Sequence, residues 1–204
     1  MGANVTKLYC GTGNLGKLRE FQQAAGPDLP IESVHGLDCP ETGNTFEANA
    51  RQKALCYARA IEQREGPGQL LFVDDSGIEI DALDGAPGVY SARFAGVDAD
   101  DAKNNALMLE KLRDVEPARR TARYVCVIAL ARGPEILATF RDVAEGRIID
   151  QPRGEGGFGY DPYFFFEPTA STFAEISAEE KWKHSHRGKA FRQMLSYLRE
   201  NLSA

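Results

Sequence analysis

The segment from Gly11 to Lys17 combines closely spaced glycines with polar side chains. It follows a short apolar strand and precedes an amphipathic helix. Such a position suits phosphate binding, because glycine lets the backbone approach a ligand and a helix N-terminus carries positive charge. A tight turn without a ligand is the alternative. The residues that we predict to bind phosphate are Thr12, Gly13, Asn14, Leu15, Gly16 and Lys17.

This segment approximates two known phosphate-binding patterns and completes neither. The P-loop requires Ser or Thr after its lysine to bind Mg²⁺, and this chain has Leu18 there. The dinucleotide fingerprint requires an acid about 20 residues further on. Glu32 and Asp38 are available, but neither stands cleanly at the end of the second predicted strand. What remains is a set of backbone N–H groups with the Asn14 amide, the Thr12 hydroxyl and the Lys17 ammonium.

A pair of carboxylates follows the apolar run from Leu70 to Val73 in the order Asp74-Asp75-Ser76-Gly77. We predict that a central strand ends at Val73 and delivers both carboxylates to a tight turn. Like charges crowd there unless a cation is present, and Mg²⁺ prefers one or two carboxylates with waters and substrate phosphates. Glu41 could supply another carboxylate. Ordinary turn chemistry is the alternative for the Asp-Asp pair.

Phe158 stands between glycines in a predicted loop, where a ring gains by packing on the core or on a flat ligand such as a base. Further on, residues 181–192 carry five Lys or Arg and two His and no acid. A helix that starts near His186 and Arg187, with Lys181 close by, could bind an anion or a base edge. A solvated helix face is the alternative.

The elements that must position these residues alternate along the chain. Apolar runs predict strands at 7–10, 31–34, 70–73, 78–83, 122–130, 136–143 and 163–166. Helical periodicity predicts helices over 17–25, from Thr45 to the Gly66-Pro67 stop, over 100–112, after the capping box at Ser177, and through Leu198. Strands, helices and local hairpins together predict an α/β protein with a mixed sheet.

Composition sets limits on function. The chain has 204 residues and a formal net charge of −6, so we exclude a protein that coats long nucleic acids. With 43% hydrophobic and 26% charged residues it has the composition of a globular protein, and no apolar run is long enough to span a membrane. Its four cysteines are scattered among apolar residues, which predicts buried free thiols and a reducing cytoplasm. We see no linker and expect one domain, 1–204.

Six blocks of the chain together resemble the inosine/xanthosine triphosphate pyrophosphatases. They appear in family order and cover nearly the whole chain. The blocks are Thr12-Gly13-Asn14-Leu15-Gly16-Lys17, Glu41-Thr42-Gly43-Asn44-Thr45-Phe46 with Asn49-Ala50 and Lys53-Ala54, Asp74-Asp75-Ser76-Gly77, Gly85-Ala86-Pro87-Gly88-Val89-Tyr90-Ser91-Ala92-Arg93-Phe94, Gly156-Gly157-Phe158-Gly159-Tyr160-Asp161-Pro162 and Ser185-His186-Arg187.

The resemblance implies an elongated mixed sheet flanked by helices, in one domain with two lobes, a central cleft that holds the active site, and a homodimer. It implies hydrolysis of ITP, dITP and XTP to the monophosphate and pyrophosphate, with Mg²⁺, to cleanse the nucleotide pool. Asp75 would be the catalytic base, with Glu41 and Asp75 as metal ligands. The chain departs from some relatives at Pro40, which precedes Glu41 where they have a second acid. Substrate contacts are implied for the phosphate segment, Ser76, Phe158, Gly159, Tyr160, Asp161, Lys181, His186 and Arg187.

Four other functions stay open at the level of sequence. A Maf-like pyrophosphatase would have a similar fold and prefer dTTP or UTP. A P-loop protein or a dinucleotide-binding protein would bind ATP or NAD. A nucleotide sensor would bind ITP without turnover. The resemblance implies a purine nucleoside triphosphate as the partner. From the net charge and the short apolar runs we expect no long nucleic acid and no membrane as partners.

Overall fold

The structure is a computed structural model that describes residues 7–27, 29–34, 36–37 and 39–202. Among these residues, the helices are α1 (Leu15–Ala25), α2 (Phe46–Glu65), α3 (Asp101–Leu112), α4 (Ala178–His184) and α5 (His186–Leu202). The strands are β1 (Leu8–Cys10), β2 (Ile31–Ser33), β3 (Leu70–Ile80), β4 (Thr121–Arg132), β5 (Glu135–Ile148), β6 (Phe164–Phe166) and β7 (Ser171–Thr172).

The seven strands form one mixed sheet in the order β2-β1-β3-β4-β5-β6-β7. Strand β1 pairs in parallel with β2 and with β3, whereas β6 pairs antiparallel with β5 and with β7. The predicted α/β class with a mixed sheet is confirmed. No helix in the described part of the chain is both long and apolar enough to cross a membrane.

Local capping signals set the starts of the helices. The Thr45 hydroxyl accepts the Ala48 N–H at 3.1 Å, and α2 begins at Phe46 as predicted. The Ser177 hydroxyl accepts the Glu180 N–H at 3.2 Å at the start of α4. A side chain that accepts one of the first N–H groups of a helix acts over a few residues only, so the sequence is sufficient to predict it.

The predicted end of the third strand at Val73 is wrong. Strand β3 continues without interruption from Leu70 to Ile80, so Asp74 and Asp75 lie within a strand and not on a turn. Gly77 explains part of the difference: a Cβ there would collide with the Ser91 side chain. This glycine allows a close approach of two segments, whereas its sequence neighbours make it look like a turn residue.

The prediction of four buried free thiols is confirmed for two cysteines and wrong for the other two. Cys10 and Cys126 are free and buried, but Cys39 and Cys56 form a disulfide with their Cα atoms 5.9 Å apart. The disulfide joins the segment before α2 to the helix itself. Scattered spacing along the chain gave no sign of this pairing, because the fold brings the two cysteines together.

The chain divides into two compact units. The first consists of residues up to Asp75, Cys126–Asp142 and the chain from Arg187 onward. Its core includes the packed rings of Phe21, Phe72 and Phe191, with centroids 4.9 to 5.6 Å apart.

The second unit consists of Ser76–Val125 and Val143–His186. Its core is a cluster of buried aliphatic and aromatic side chains that includes Met108 and Leu112 of α3 and Tyr124, Phe164 and Phe173.

Candidate active site

Two of the predicted phosphate residues shape the turn between β1 and α1. Asn14 caps α1 by accepting the Lys17 N–H at 3.0 Å, and the Thr12 hydroxyl accepts the Asn14 N–H at 3.1 Å. Thr12 is buried, whereas Gly13 and Leu15 are exposed. The turn therefore presents exposed backbone at a helix N-terminus, where the dipole favours an anion.

Asp74 is buried among cations of the first unit. The Lys17 ammonium lies 2.8 Å and the Arg187 Nε 3.5 Å from its Oδ2, and the Lys53 ammonium donates to its backbone carbonyl at 3.2 Å. Burial alone would raise the pKa of this carboxyl, but the three cations outweigh burial and hold the pKa well below its ordinary value. Asp74 is therefore a permanent anion that holds Lys17 and Arg187 in place.

The adjacent residue, Asp75, has the opposite character. Its side chain is buried, and its Oδ2 has no hydrogen-bond partner among the described residues. Burial, and to a smaller extent the neighbouring Glu41 and Asp74, raise the pKa of Asp75 from 3.8 to about 6, although Lys53 and Lys17 act to lower it. A carboxyl that ionises near this pH can accept a proton at neutral pH and is poised as a general base.

Glu41 lies on a segment that α2 holds in place. Its carboxylate forms an ion pair with Lys53. Burial lowers the Lys53 pKa, but Asp74 and Glu41 more than compensate and raise it, so Lys53 remains a cation.

The segment that carries Glu41 runs antiparallel to α2, because four pairs connect the two in reversed order. The pairs are Cys39 with Cys56, Glu41 with Lys53, Thr42 with Gln52, and Gly43 with Asn49.

Arg187 belongs to the same group of charges. Its Nη1 donates to Glu20 of α1 at 2.7 Å, and the residue is only 2% exposed. Burial lowers the pKa of this guanidinium, but Glu20 and Asp74 raise it by more, so the pKa lies above its ordinary value and the group stays charged. The structure thus places Arg187 beside the carboxylates of the first unit.

Asp161 organises a separate group of site residues in the second unit. Its Oδ2 accepts the Phe158 N–H at 2.8 Å and the Lys181 ammonium at 2.6 Å, and its Oδ1 accepts the Tyr124 hydroxyl at 3.1 Å. Asp161 and Lys181 are both nearly inaccessible to solvent, so this is a buried charge pair with further hydrogen bonds, the arrangement that such a pair requires.

The aromatic residues of this second group are fixed by stacking. The Lys181 ammonium lies 4.8 Å from the centroid of the Phe158 ring. The His186 ring stacks on Tyr124, with centroids 4.7 Å apart and planes 6° apart. A half-buried Phe158 ring with a cation on it can offer a surface to a planar ligand.

The remaining predicted residues also lie in the second unit. The Tyr160 hydroxyl donates to the Ser91 carbonyl at 2.8 Å, and burial raises the Tyr160 pKa, so this residue stays neutral. Both backbone polar groups of Gly159 are held by side chains of α3. Ser76 follows Asp75 on β3 and is half-buried.

The predicted residues therefore form two groups. The phosphate segment, Glu41, Asp75 and Arg187 belong to the first unit; Ser76, the Phe158 loop, Lys181 and His186 belong to the second. Arg187 and His186 are adjacent in sequence but contact different partners.

The prediction omitted Lys53 and Glu20 and considered Asp74 only as one of a pair of carboxylates for a cation, although all three share the charge network of the first unit. The spacing of Asn49 and Lys53 on one face of the predicted helix was a usable signal for Lys53. Nothing in the sequence indicated Glu20, because its partner Arg187 is distant along the chain.

No group of three or more His, Cys, Asp or Glu side chains arranged to hold a metal occurs in the described ranges. Glu41 and Asp75 nevertheless interact electrostatically, and Asp75 has an oxygen without a partner there. Two carboxylates match the needs of Mg²⁺, which takes most of its other ligands from water and phosphate.

Comparison with known proteins gives concordant matches over almost the entire chain. A model of the Ham1 family matches residues 8–197. A protein of Exiguobacterium sibiricum named dITP/XTP pyrophosphatase is 46% identical over 94% of this chain and 96% of its own length. One of the same name from Desulforamulus reducens is 45% identical over 94% of this chain and 95% of its own. The solved Ham1 protein of Staphylococcus aureus superposes with a TM-score of 0.82 and 34% identity, covering 95% of this chain and 98% of that one.

Proposed function

Because the chain belongs to the Ham1 family, we propose that it is a nucleoside triphosphate pyrophosphatase that hydrolyses ITP, dITP and XTP to the monophosphate and pyrophosphate. Relatives named dITP/XTP pyrophosphatase match it over nearly their full length. The observation that carries the chemistry is Asp75, a buried carboxyl with an unpartnered oxygen and a pKa raised to about 6.

The first unit supplies the phosphate end of the reaction. Lys17 is paired with Asp74 and Lys53 with Glu41, each in a poorly solvated setting. A triphosphate at the N-terminus of α1 would meet these cations together with exposed backbone. Cations fixed before the substrate arrives stabilise the charge that develops during phosphoryl transfer without reorganisation.

Asp75 acts as the proton acceptor in this proposal. It takes a proton from a water molecule as the water oxygen forms a bond to the α-phosphorus. The bond from the α-phosphorus to the bridging oxygen breaks, and pyrophosphate leaves with the electron pair. Lys17 offsets the charge on the leaving group.

Glu41 and Asp75 are the residues that would hold Mg²⁺. When bound, the ion would neutralise phosphate charge and polarise the phosphoryl oxygens. Asp74 is less suited to this role, because its carboxylate is already paired with Lys17 and Arg187.

Recognition of the base is assigned to Phe158, His186 and Arg187. Phe158 would stack on the purine, and His186 or Arg187 would donate to the 6-oxo group that inosine and xanthine share. Adenine has an amino donor at that position and would leave the donors of the site unpaired, which is a costly mismatch. For Arg187 this role requires it to serve the base in addition to its carboxylate partners.

The wider setting follows from this activity. An enzyme that removes deaminated purine nucleotides cleanses the nucleotide pool, and we place it in the cytoplasm, where that pool is. Because Cys39 and Cys56 form a disulfide, the cysteines no longer indicate a reducing compartment, and the placement depends on the substrate alone. We also infer a homodimer from the family resemblance.

A product assay tests the function. The purified protein is incubated with Mg²⁺ and with ITP, XTP, dITP, ATP, GTP, dTTP or UTP in turn, and pyrophosphate and orthophosphate are measured separately. We expect pyrophosphate from ITP, dITP and XTP and little from the others. Direct release of orthophosphate, or a preference for dTTP or UTP, would contradict the proposal. Binding of ITP without turnover would make the protein a sensor.

A further inference from the structure

Helix α3 holds Gly159 from both sides. Asp101 accepts the Gly159 N–H at 2.7 Å, and the Asn105 amide donates to the Gly159 carbonyl at 2.9 Å. Asp101 and Asn105 are one helical turn apart and therefore share a face of α3. Two side chains of one helix thus satisfy both backbone polar groups of a single loop residue.

The same loop is anchored from within by Asp161. Its carboxylate accepts the N–H of Phe158, the residue just before Gly159. The backbone wraps closely around this carboxylate, since a Cβ at Gly157 would collide with it. Phe158 is therefore fixed at its own N–H by Asp161 and at the next residue by α3, and these two anchors set the direction of its Cα–Cβ bond.

The buried amide of Asn105 lowers the stability of the fold relative to an apolar side chain, which suggests that its hydrogen bond to Gly159 serves function. It is only 8% exposed, and its Oδ1 has no partner among the described residues. Met108 and Leu112, which share its face of α3, are fully buried apolar residues. An apolar side chain would avoid the unsatisfied oxygen, so packing alone does not account for an amide here.

We propose that Asp101 and Asn105 are positioning residues for nucleobase recognition, which hold the Gly159 backbone so that the Phe158 ring presents its face to the base. This inference rests on the proposed function, because Phe158 is the residue assigned there to the purine. Neither residue touches the phosphate end of the reaction, which belongs to the first unit. Loosening the loop should therefore weaken binding of the base and leave the chemical step intact.

The variants separate hydrogen bonding from mere presence of a side chain. Asp101→Ala removes the acceptor, whereas Asp101→Asn keeps an oxygen that can accept the Gly159 N–H. Asn105→Ala removes the donor, and Asn105→Asp places a carboxylate oxygen against the Gly159 carbonyl. Glu110→Gln is the matched control, because Glu110 is an exposed acid on the same helix.

We expect the KM for ITP to rise about 5- to 10-fold in Asp101→Ala, Asn105→Ala and Asn105→Asp, the effect of losing one hydrogen bond. The kcat should stay near that of the wild type, since only binding is weakened. Asp101→Asn and Glu110→Gln should both retain a KM close to the wild-type value. The KM for ATP should rise by a similar factor, because the face of an aromatic ring stacks on any purine.

Amide hydrogen exchange at Phe158 and Gly159, measured without nucleotide, tests the anchoring separately. Exchange should be faster in the two Ala variants than in the wild type and the control. Unchanged exchange would overturn the anchoring. A fall in kcat at constant KM, or an Asp101→Asn variant as impaired as Asp101→Ala, would overturn the role in base recognition. A wild-type protein that does not hydrolyse ITP would overturn the proposed function, and the role in base recognition with it, whatever the exchange rates show.

Discussion

Replacement of Asp75 by Asn should stabilise the folded protein while it abolishes most of the activity. The side chain is only 7% exposed, and one of its oxygens has no partner among the described residues. At neutral pH the folded chain must therefore hold a carboxylate in a setting that disfavours its charge. Asn has nearly the same shape and no charge, so the variant avoids this cost.

The size of the gain follows from the difference in pKa. The ordinary pKa of Asp75 is 3.8, and the folded protein raises it to about 6. Between these two pH values the folded chain retains a proton that the unfolded chain has lost, so the stability of the wild type falls as the pH rises and stays lowered above about pH 6. Each pH unit of the difference corresponds to about 1.4 kcal/mol. We expect Asp75→Asn to gain about 1 to 2 kcal/mol at pH 5 and about 3 kcal/mol at pH 7.

Urea unfolding between pH 5 and pH 8, with a chelator to remove divalent cations, measures this difference. Asp74→Asn is the matched control, because the neighbouring carboxyl has a pKa well below its ordinary value. Its charge stabilises the fold at every pH in this range. Its loss should therefore cost about 3 to 5 kcal/mol, without a trend with pH, because it leaves Lys17 and Arg187 without their shared anion.

The two neighbouring variants should thus differ in sign and in pH dependence. An Asp75→Asn protein that is less stable than the wild type at pH 7, or whose gain does not grow from pH 5 to pH 7, would refute the account of Asp75. Turnover gives the second test. ITP hydrolysis should fall to a small fraction while nucleotide affinity is retained, and near-normal turnover would remove Asp75 as the base.

Other residues give predictions of stability. Arg187→Leu should lower the free energy of unfolding by about 3 to 5 kcal/mol, since Asp74 and Glu20 lose their buried partner, and urea unfolding measures this. A loss below about 1 kcal/mol would show that the pairs contribute little. Cys39→Ser should cost about 3 kcal/mol by releasing the loop that the bond to Cys56 closes across a sequence separation of 17. Thermal unfolding with and without reductant checks it: reductant should lower the wild type to the level of the variant and leave the variant unchanged.

The local elements of the fold could be predicted from the sequence. Thr45 and Ser177 act on N–H groups within a few residues, and both helices begin where these caps place them. The apolar runs of the strands are local signals of the same kind. The family motifs likewise indicated Asp75 and Lys17, because each motif lies in one short stretch of chain.

The extent of β3 and the partners of the charged residues could not be predicted in this way. Asp74, Asp75, Ser76 and Gly77 are each common in turns, but pairing with neighbouring strands keeps them extended, and those strands come from distant parts of the chain.

The sequence by itself determined the residue types of the site, the starts of α2 and α4, and the family. Only the tertiary structure decided that Asp74 is a fixed anion and Asp75 a carboxyl with a raised pKa, although the two are identical and adjacent. The physical reason is that successive side chains of a strand point to opposite faces. One carboxylate therefore meets Lys17 and Arg187, and the other is buried with an oxygen that lacks a partner within the described chain.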